Sequence, residues 1–222
     1  DSYNPILAVL KPELLGMDVA KREWLWSRLG ILSARKGLSM SAWAPVDIAL
    51  WDAAGKQAGV PIHELLGNQR GEIDAYATYP PRHIDSAGYV KEAEEIIGRG
   101  FKAYKIHPGV MGTDEVVKMV SMVRERVGPN VKLMFDPNCG YDYRKALDVG
   151  QALDGNGFYW YEDPVSHFDL DAIAELTRRL KVPICMSDQP DNQFFWGANA
   201  LRTRSNSCLL YTSPSPRDLS TS

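Results

Sequence analysis

Four short polar signatures, Lys105-x-His107, Asp136-x-Asn138, Glu162-Asp163 and Asp188, each follow directly on a short apolar run. The steps from His107 to Asp136, Glu162 and Asp188 are 29, 26 and 26 residues. That interval is close to one strand-helix unit of an eightfold barrel, roughly 30 residues. The runs that read as strands are 73–78, 103–106, 131–135, 158–161 and 183–186, and amphipathic helices are predicted over 87–98, 114–127, 143–153 and 169–180. Strict alternation of the two implies a parallel sheet with helical crossovers. The expected fold is therefore α/β: an incomplete (β/α) TIM-type barrel of about five units over residues 69–206, open at one parallel edge.

Residues 1–68 have a different texture. Val46, Ala49, Leu50 and Ala53 recur at three- and four-residue steps and are expected to share one helix face. Trp24, Trp26, Trp43 and Trp51, at helical spacing, read as core. Gly59, Pro61 and Gly67 end this all-helical part. At the other end, residues 207–222 are rich in Ser, Thr and Pro without periodicity, and the run Cys208–Asp218 resembles a translated sequencing adapter. This stretch is expected to be a non-native tail that adds no sixth unit.

Composition narrows the function classes. A net charge of -3 and a pI near 5.8 give no bulk attraction to nucleic acid or to an anionic membrane. No apolar stretch is long enough for a membrane span, and the start at Asp1-Ser2-Tyr3-Asn4 lacks a signal-peptide layout, so a cytoplasmic location is expected. Cys139, Cys185 and Cys208 are too few and too scattered for a disulfide framework and read as free thiols. Gly109 and Gly112 precede a helix without the Lys-Ser/Thr ending of a phosphate-binding loop.

The chemistry lies at the strand ends. Residues i and i+2 of a strand face the same way, so Lys105 and His107 are expected to project together, as are Asp136 and Asn138. Asp136, Glu162 and Asp188, from three consecutive strands, can converge at the barrel mouth. Three close carboxylates repel one another without a cation, and oxygen-only ligation favours Mg²⁺ or Mn²⁺ over zinc. Asn138 is a candidate to hydrogen-bond a ligand or these carboxylates, and Asp163 to orient its neighbours, although both motifs are also turn-like. Lys105 and His107 are the acid-base candidates, and the ammonium two residues away disfavours the imidazolium of His107, which suits a general base. His83 and His167 follow predicted strand ends and are secondary pocket candidates, whereas His63 reads as structural.

With these residues assembled, the chain resembles the mandelate racemase and muconate lactonizing branch of the enolase superfamily. The resemblance rests on residues 41–67 (SAWAPVDIALWDAAGKQAGVPIHELLG), 100–109 (GFKAYKIHPG), 132–141 (KLMFDPNCGY), 159–165 (YWYEDPV) and 182–190 (VPICMSDQP). It implies a capping domain, of which residues 1–68 would be the helical part, followed by a modified barrel. It also implies abstraction of the proton alpha to a carboxylate, with Mg²⁺ holding the enediolate. Asp136 and Glu162 fall on the first two metal ligands and Asp188 on the third. Lys105 falls on the first lysine of a Lys-x-Lys motif, and His107 stands where many relatives carry the catalytic lysine, so that either His107 replaces it as base or His107 binds substrate while a base on a later strand acts. The family's later-strand acid and base groups and the early capping strands have no counterpart in the chain, so a site fragment, itself inactive, is expected.

The function expected of the intact parent is dehydration of an acid sugar. Racemase or epimerase is the runner-up, and cycloisomerase the third reading. A degenerate, noncatalytic barrel is the alternative from another class. The partner expected is a small carboxylate or acid-sugar substrate, in a homo-oligomer, with neither nucleic acid nor membrane.

Overall fold

The structure is a computed structural model that describes residues 6–38, 40–68 and 71–186 and the backbone at 208–209. Asp188 lies outside the described residues. The described chain divides into two compact units, one running through Ile73 and the other starting at Asp74.

The first unit is helical: a π-helical turn (Ile6–Leu10), α1 (Lys11–Leu14), a 3₁₀ turn (Val19–Lys21), α2 (Arg22–Lys36), α3 (Met40–Ala58) and α4 (Ile62–Leu65). Asp18 opens the 3₁₀ turn by accepting a hydrogen bond from the Ala20 amide at 2.9 Å. Gly37 closes α2 in the left-handed region at φ 63°, a conformation that costs glycine no Cβ clash. Leu10, Leu29 and Trp43 form its core, with Trp26 edge-on to Trp43 at 5.7 Å between ring centroids. The buried face of α3 carries Ala42, Trp43 and Ala54, whereas Ala49 and Ala53 are exposed. That is a rotation from the expected face, because the large Trp43 side chain and not the small alanines sets which side packs. Trp24 is likewise exposed, its ring covered in part by the Arg28 guanidinium at 5.4 Å.

The second unit is built from β1 (Ala77–Thr78), α5 (Ser86–Gly98), β2 (Ala103–Ile106), α6 (Thr113–Val127), β3 (Lys132–Phe135), α7 (Tyr143–Gly155), β4 (Trp160–Glu162), α8 (Leu170–Arg179), β5 (Ile184–Met186) and β6 (Cys208–Leu209). All neighbouring strands pair in parallel in the order of the sequence. This is a partial TIM-type barrel. Two sequence expectations change. The first strand is only two residues long, with Ile73 fully in solvent, and a sixth strand comes from Cys208–Leu209, inside the stretch excluded from the fold. Parallel pairing with the open edge of β5 satisfies backbone groups that would otherwise be unpaired, which a search for periodicity does not detect.

Strand alternation sorts the side chains. Tyr104, Ile106, Leu133, Phe135, Tyr161 and Ile184 face the helices and join Ile96, Met119, Val120, Val149 and Leu176 in one buried cluster. Lys105, Met134, Asp136, Trp160 and Glu162 belong to the other face. Asp85, Asp142 and Asp169 cap α5, α7 and α8 by accepting from the amides of Gly88, Lys145 and Ala172. Thr113 is the first residue of α6, and Gly112 precedes it without a side-chain bond. A Cβ on Gly150 would lie 2.3 Å from Leu180, so a bare α-carbon lets α7 approach the chain after α8.

At the end of the barrel where strands begin, two side chains join successive units. The Arg124 guanidinium donates to the carbonyls of Gly128, Val131, Asn156 and Gly157, at 2.8 to 3.2 Å. The Asp154 carboxylate accepts from the amides of Lys181 and Val182, at 3.0 and 2.6 Å.

Candidate functional site

Lys105 sits in the all-buried strand β2, and its Nζ lies 2.9 Å from Asp136 Oδ2 and 2.7 Å from Glu162 Oε1. The remaining carboxylate oxygens are also engaged: Asp136 Oδ1 accepts from the Asn138 amide at 2.9 Å, and Glu162 Oε2 from Trp160 Nε1 at 2.8 Å. The Tyr76 and Trp160 rings pack edge-on with centroids 5.7 Å apart, and Lys105 Nζ lies 5.9 Å from the Tyr76 ring. All three charged groups are buried.

The electrostatics follow from this packing. Two carboxylates face one ammonium, leaving one negative charge in excess. Burial and the neighbouring Glu162 push the Asp136 carboxyl up to about 7, against the pull of Lys105 and the Asn138 amide. Burial opposes the charge on Lys105, but hydrogen bonds and attraction from Glu162 and Asp136 overcome it and raise its pKa above the ordinary lysine range. The two carboxylates thus favour the charged form of Lys105.

His107 follows β2 and is half-buried, with Nδ1 3.6 Å from the Asp136 Oδ2 that also meets Lys105. The expected projection of Lys105 and His107 to one side holds. The carboxylate shared between them brings a negative charge to the imidazole that reasoning from Lys105 alone left out. The Tyr89 hydroxyl donates to the His107 carbonyl at 2.7 Å and anchors its backbone.

Asn138 and Asp136 do not project together. The strand ends at Phe135, and Asn138 and Cys139 both take positive φ (52° and 59°), so Asn138 meets Asp136 through its amide while its side chain is exposed. Asp163, fully buried at φ 41°, holds His167 Nε2 at 3.0 Å and accepts from the Cys139 amide at 2.7 Å. Cys139 Sγ also lies 3.4 Å from His167 Nε2. Burial disfavours a charged His167, but the bonds to Asp163 and Cys139 prevail and push it up to about 10. His167 therefore stands at the mouth with Asp163, whereas His83 pairs with Glu92 at 2.9 Å on α5. Cys139 is a free thiol. Trp160 escaped the sequence reading, although its position two residues before Glu162 on one strand would have disclosed it.

One oxygen each from Asp136, Glu162 and Asp163 lie within 4.8 Å of one another. The donor set is all oxygen and carries excess negative charge. These residues fit a hard divalent cation.

Residues 1–67 match the family model of the mandelate racemase / muconate lactonizing enzyme N-terminal domain, and residues 88–194 the enolase C-terminal domain-like model. Over 181 residues the chain is 34% identical to arabinonate dehydratase of Saccharolobus solfataricus, covering 79% of this chain and 48% of that protein. It is 35% identical over 178 residues to D-galactarolactone cycloisomerase of Agrobacterium fabrum, covering 77% and 47%. The chain spans about half the length of these curated relatives. The crystal structure of D-glucarate dehydratase from Agrobacterium tumefaciens complexed with magnesium superposes with a TM-score of 0.86 at 27% identity, over 94% of this chain and 58% of that one. Matched along both of its units, the chain belongs to the mandelate racemase and muconate lactonizing enzyme branch of the enolase superfamily.

Proposed function

We propose that the protein carrying this chain abstracts the proton alpha to the carboxylate of an acid sugar and then eliminates water, as a Mg²⁺-dependent dehydratase. The observation that carries the reading is the buried cluster of Lys105 with Asp136 and Glu162. Such an alpha proton is too weakly acidic for an unaided side chain, so the second negative charge on the substrate must meet cations already in place. Lys105 Nζ holds one of them. Asp136 and Glu162, with Asp188 as the proposed third ligand, would hold Mg²⁺, which supplies Lewis-acid charge at the substrate carboxylate. His107 is the proposed base, accepting the proton on its imidazole. Trp160 and the Asn138 amide fix the carboxylates so that little reorganisation accompanies the charge change.

The cycloisomerase relative, as similar as the dehydratase one, supports a second reading in which the same enediolate collapses without loss of water. Proton exchange in D₂O, followed by NMR with a panel of acid sugars and the uninterrupted protein, separates the readings. Release of a keto-deoxy acid supports the dehydratase. Exchange without that product favours an isomerase, and absence of both exchange and Mg²⁺ binding points to a noncatalytic barrel.

A further inference from the structure

A second cluster at the mouth has a different chemistry from the first. Cys139 Sγ, an Asp163 carboxylate oxygen and a His167 ring nitrogen all lie within 4.8 Å of one another. His167 Nε2 is 3.0 Å from Asp163 Oδ1 and 3.4 Å from Cys139 Sγ. We infer that Cys139, Asp163 and His167 supply three ligands to a binding site for a borderline-soft divalent cation, Zn²⁺.

Two edges of the group, His167 Nε2 to Asp163 Oδ1 and to Cys139 Sγ, are close to those of a tetrahedral site. Zn–N, Zn–O and Zn–S bonds of about 2.0–2.3 Å at tetrahedral angles place N and O about 3.4 Å apart and N and S about 3.6 Å apart. The observed 3.0 and 3.4 Å are shorter by a few tenths of an ångström, and moving the groups apart by that much is within side-chain adjustment. A thiolate and a carboxylate together balance the charge of Zn²⁺, and with imidazole they form a donor set that Mg²⁺ does not favour. Asp163 is common to both groups, so Cys139 and His167 are what distinguish this site, with its S, N and O donors, from the all-oxygen group of Asp136, Glu162 and Asp163.

The backbone prepares the site. Cys139 and Asp163 both adopt positive φ, and the 2.7 Å bond from the Cys139 amide to the Asp163 carbonyl joins the loop after β3 to the loop after β4. Backbone strain of this kind persists only where the surroundings impose it. Asp163 is fully buried and His167 nearly so, while Cys139 is half-buried and leaves a route for the ion. A bound Zn²⁺ would tie these two mouth loops together beside Lys105 and the carboxylates.

Co²⁺ is the test probe, because thiolate ligation produces an intense ligand-to-metal charge-transfer band that oxygen and nitrogen ligands do not. The 222-residue chain titrated with Co²⁺ should develop the band, Zn²⁺ should displace it, and excess Mg²⁺ should not. Cys139→Ser should abolish it, and His167→Gln and Asp163→Asn should each weaken Co²⁺ binding, whereas Cys185→Ser and Cys208→Ser leave the band intact. A wild-type chain without the band, or a band that survives Cys139→Ser, would overturn the inference. Should the variants fail to fold, iodoacetamide labelling of the wild-type chain decides. Zn²⁺ but not Mg²⁺ should protect Cys139 in the peptide map, and an equal labelling rate with and without Zn²⁺ would refute the site. These readouts do not depend on catalysis, so they stand or fall apart from the dehydratase proposal.

Discussion

Lys105 Nζ bridges Asp136 and Glu162, at 2.9 and 2.7 Å, so that one ammonium from β2 ties the carboxyl ends of β3 and β4. Removing one partner of a buried ion pair strands the other charges and costs about 3–5 kcal/mol. Lys105→Met should therefore lower unfolding stability by at least about 3 kcal/mol in urea denaturation. Added Mg²⁺ should recover part of the loss. A variant as stable as the wild type would mean that the two carboxylates do not depend on Lys105.

Trp160 donates to Glu162 Oε2 from one residue pair down the strand. Groups that orient a metal ligand are typically worth about 10–100-fold in metal affinity. Trp160→Phe keeps most of the aromatic packing and removes the N–H, so isothermal titration should show Mg²⁺ binding weakened by about tenfold. Unchanged affinity would separate Trp160 from the metal centre.

His107 is the proposed proton acceptor, and general-base catalysis contributes roughly 10²–10⁴-fold to rate. In the uninterrupted protein, His107→Gln should reduce kcat by about that factor with Mg²⁺ affinity unchanged. A small effect on kcat would transfer the base role to another residue.

The His167–Asp163 pair predicts a pH signature in the presence of a chelator. Folding raises His167 from 6.5 to about 10, so its contribution to stability is complete below about 6.5 and is lost as pH rises through about 10. Thermal melts of the wild type should fall across that interval, and His167→Gln should flatten the slope. Parallel pH profiles would show that the pair does not hold a proton in the folded state.

Much of this architecture was legible in the residues. Strand and helix positions from Ala103 to Met186 fell close to the expected bounds, because burial on both faces of the sheet makes apolar runs and because the helices between them keep an amphipathic period. The convergence of Lys105, Asp136 and Glu162 followed from their positions at consecutive strand ends. What escaped was set by contacts with no local signal. The turn through Asn138 and Cys139 sends the Asn138 side chain outward, and Cys139 meets His167 across 28 residues of sequence. The pairing of Cys208–Leu209 with β5 depends on an unfilled sheet edge and not on the character of those two residues.

Arg124 carries a consequence for how the barrel half assembles. Its guanidinium takes two carbonyls from the approach to β3 and two from the approach to β4. Neither approach can loosen without releasing bonds to a side chain shared with the other. Neighbouring units should therefore open together, as one cooperative block in hydrogen exchange, and the cost of disorder at the base of one strand is passed to the next.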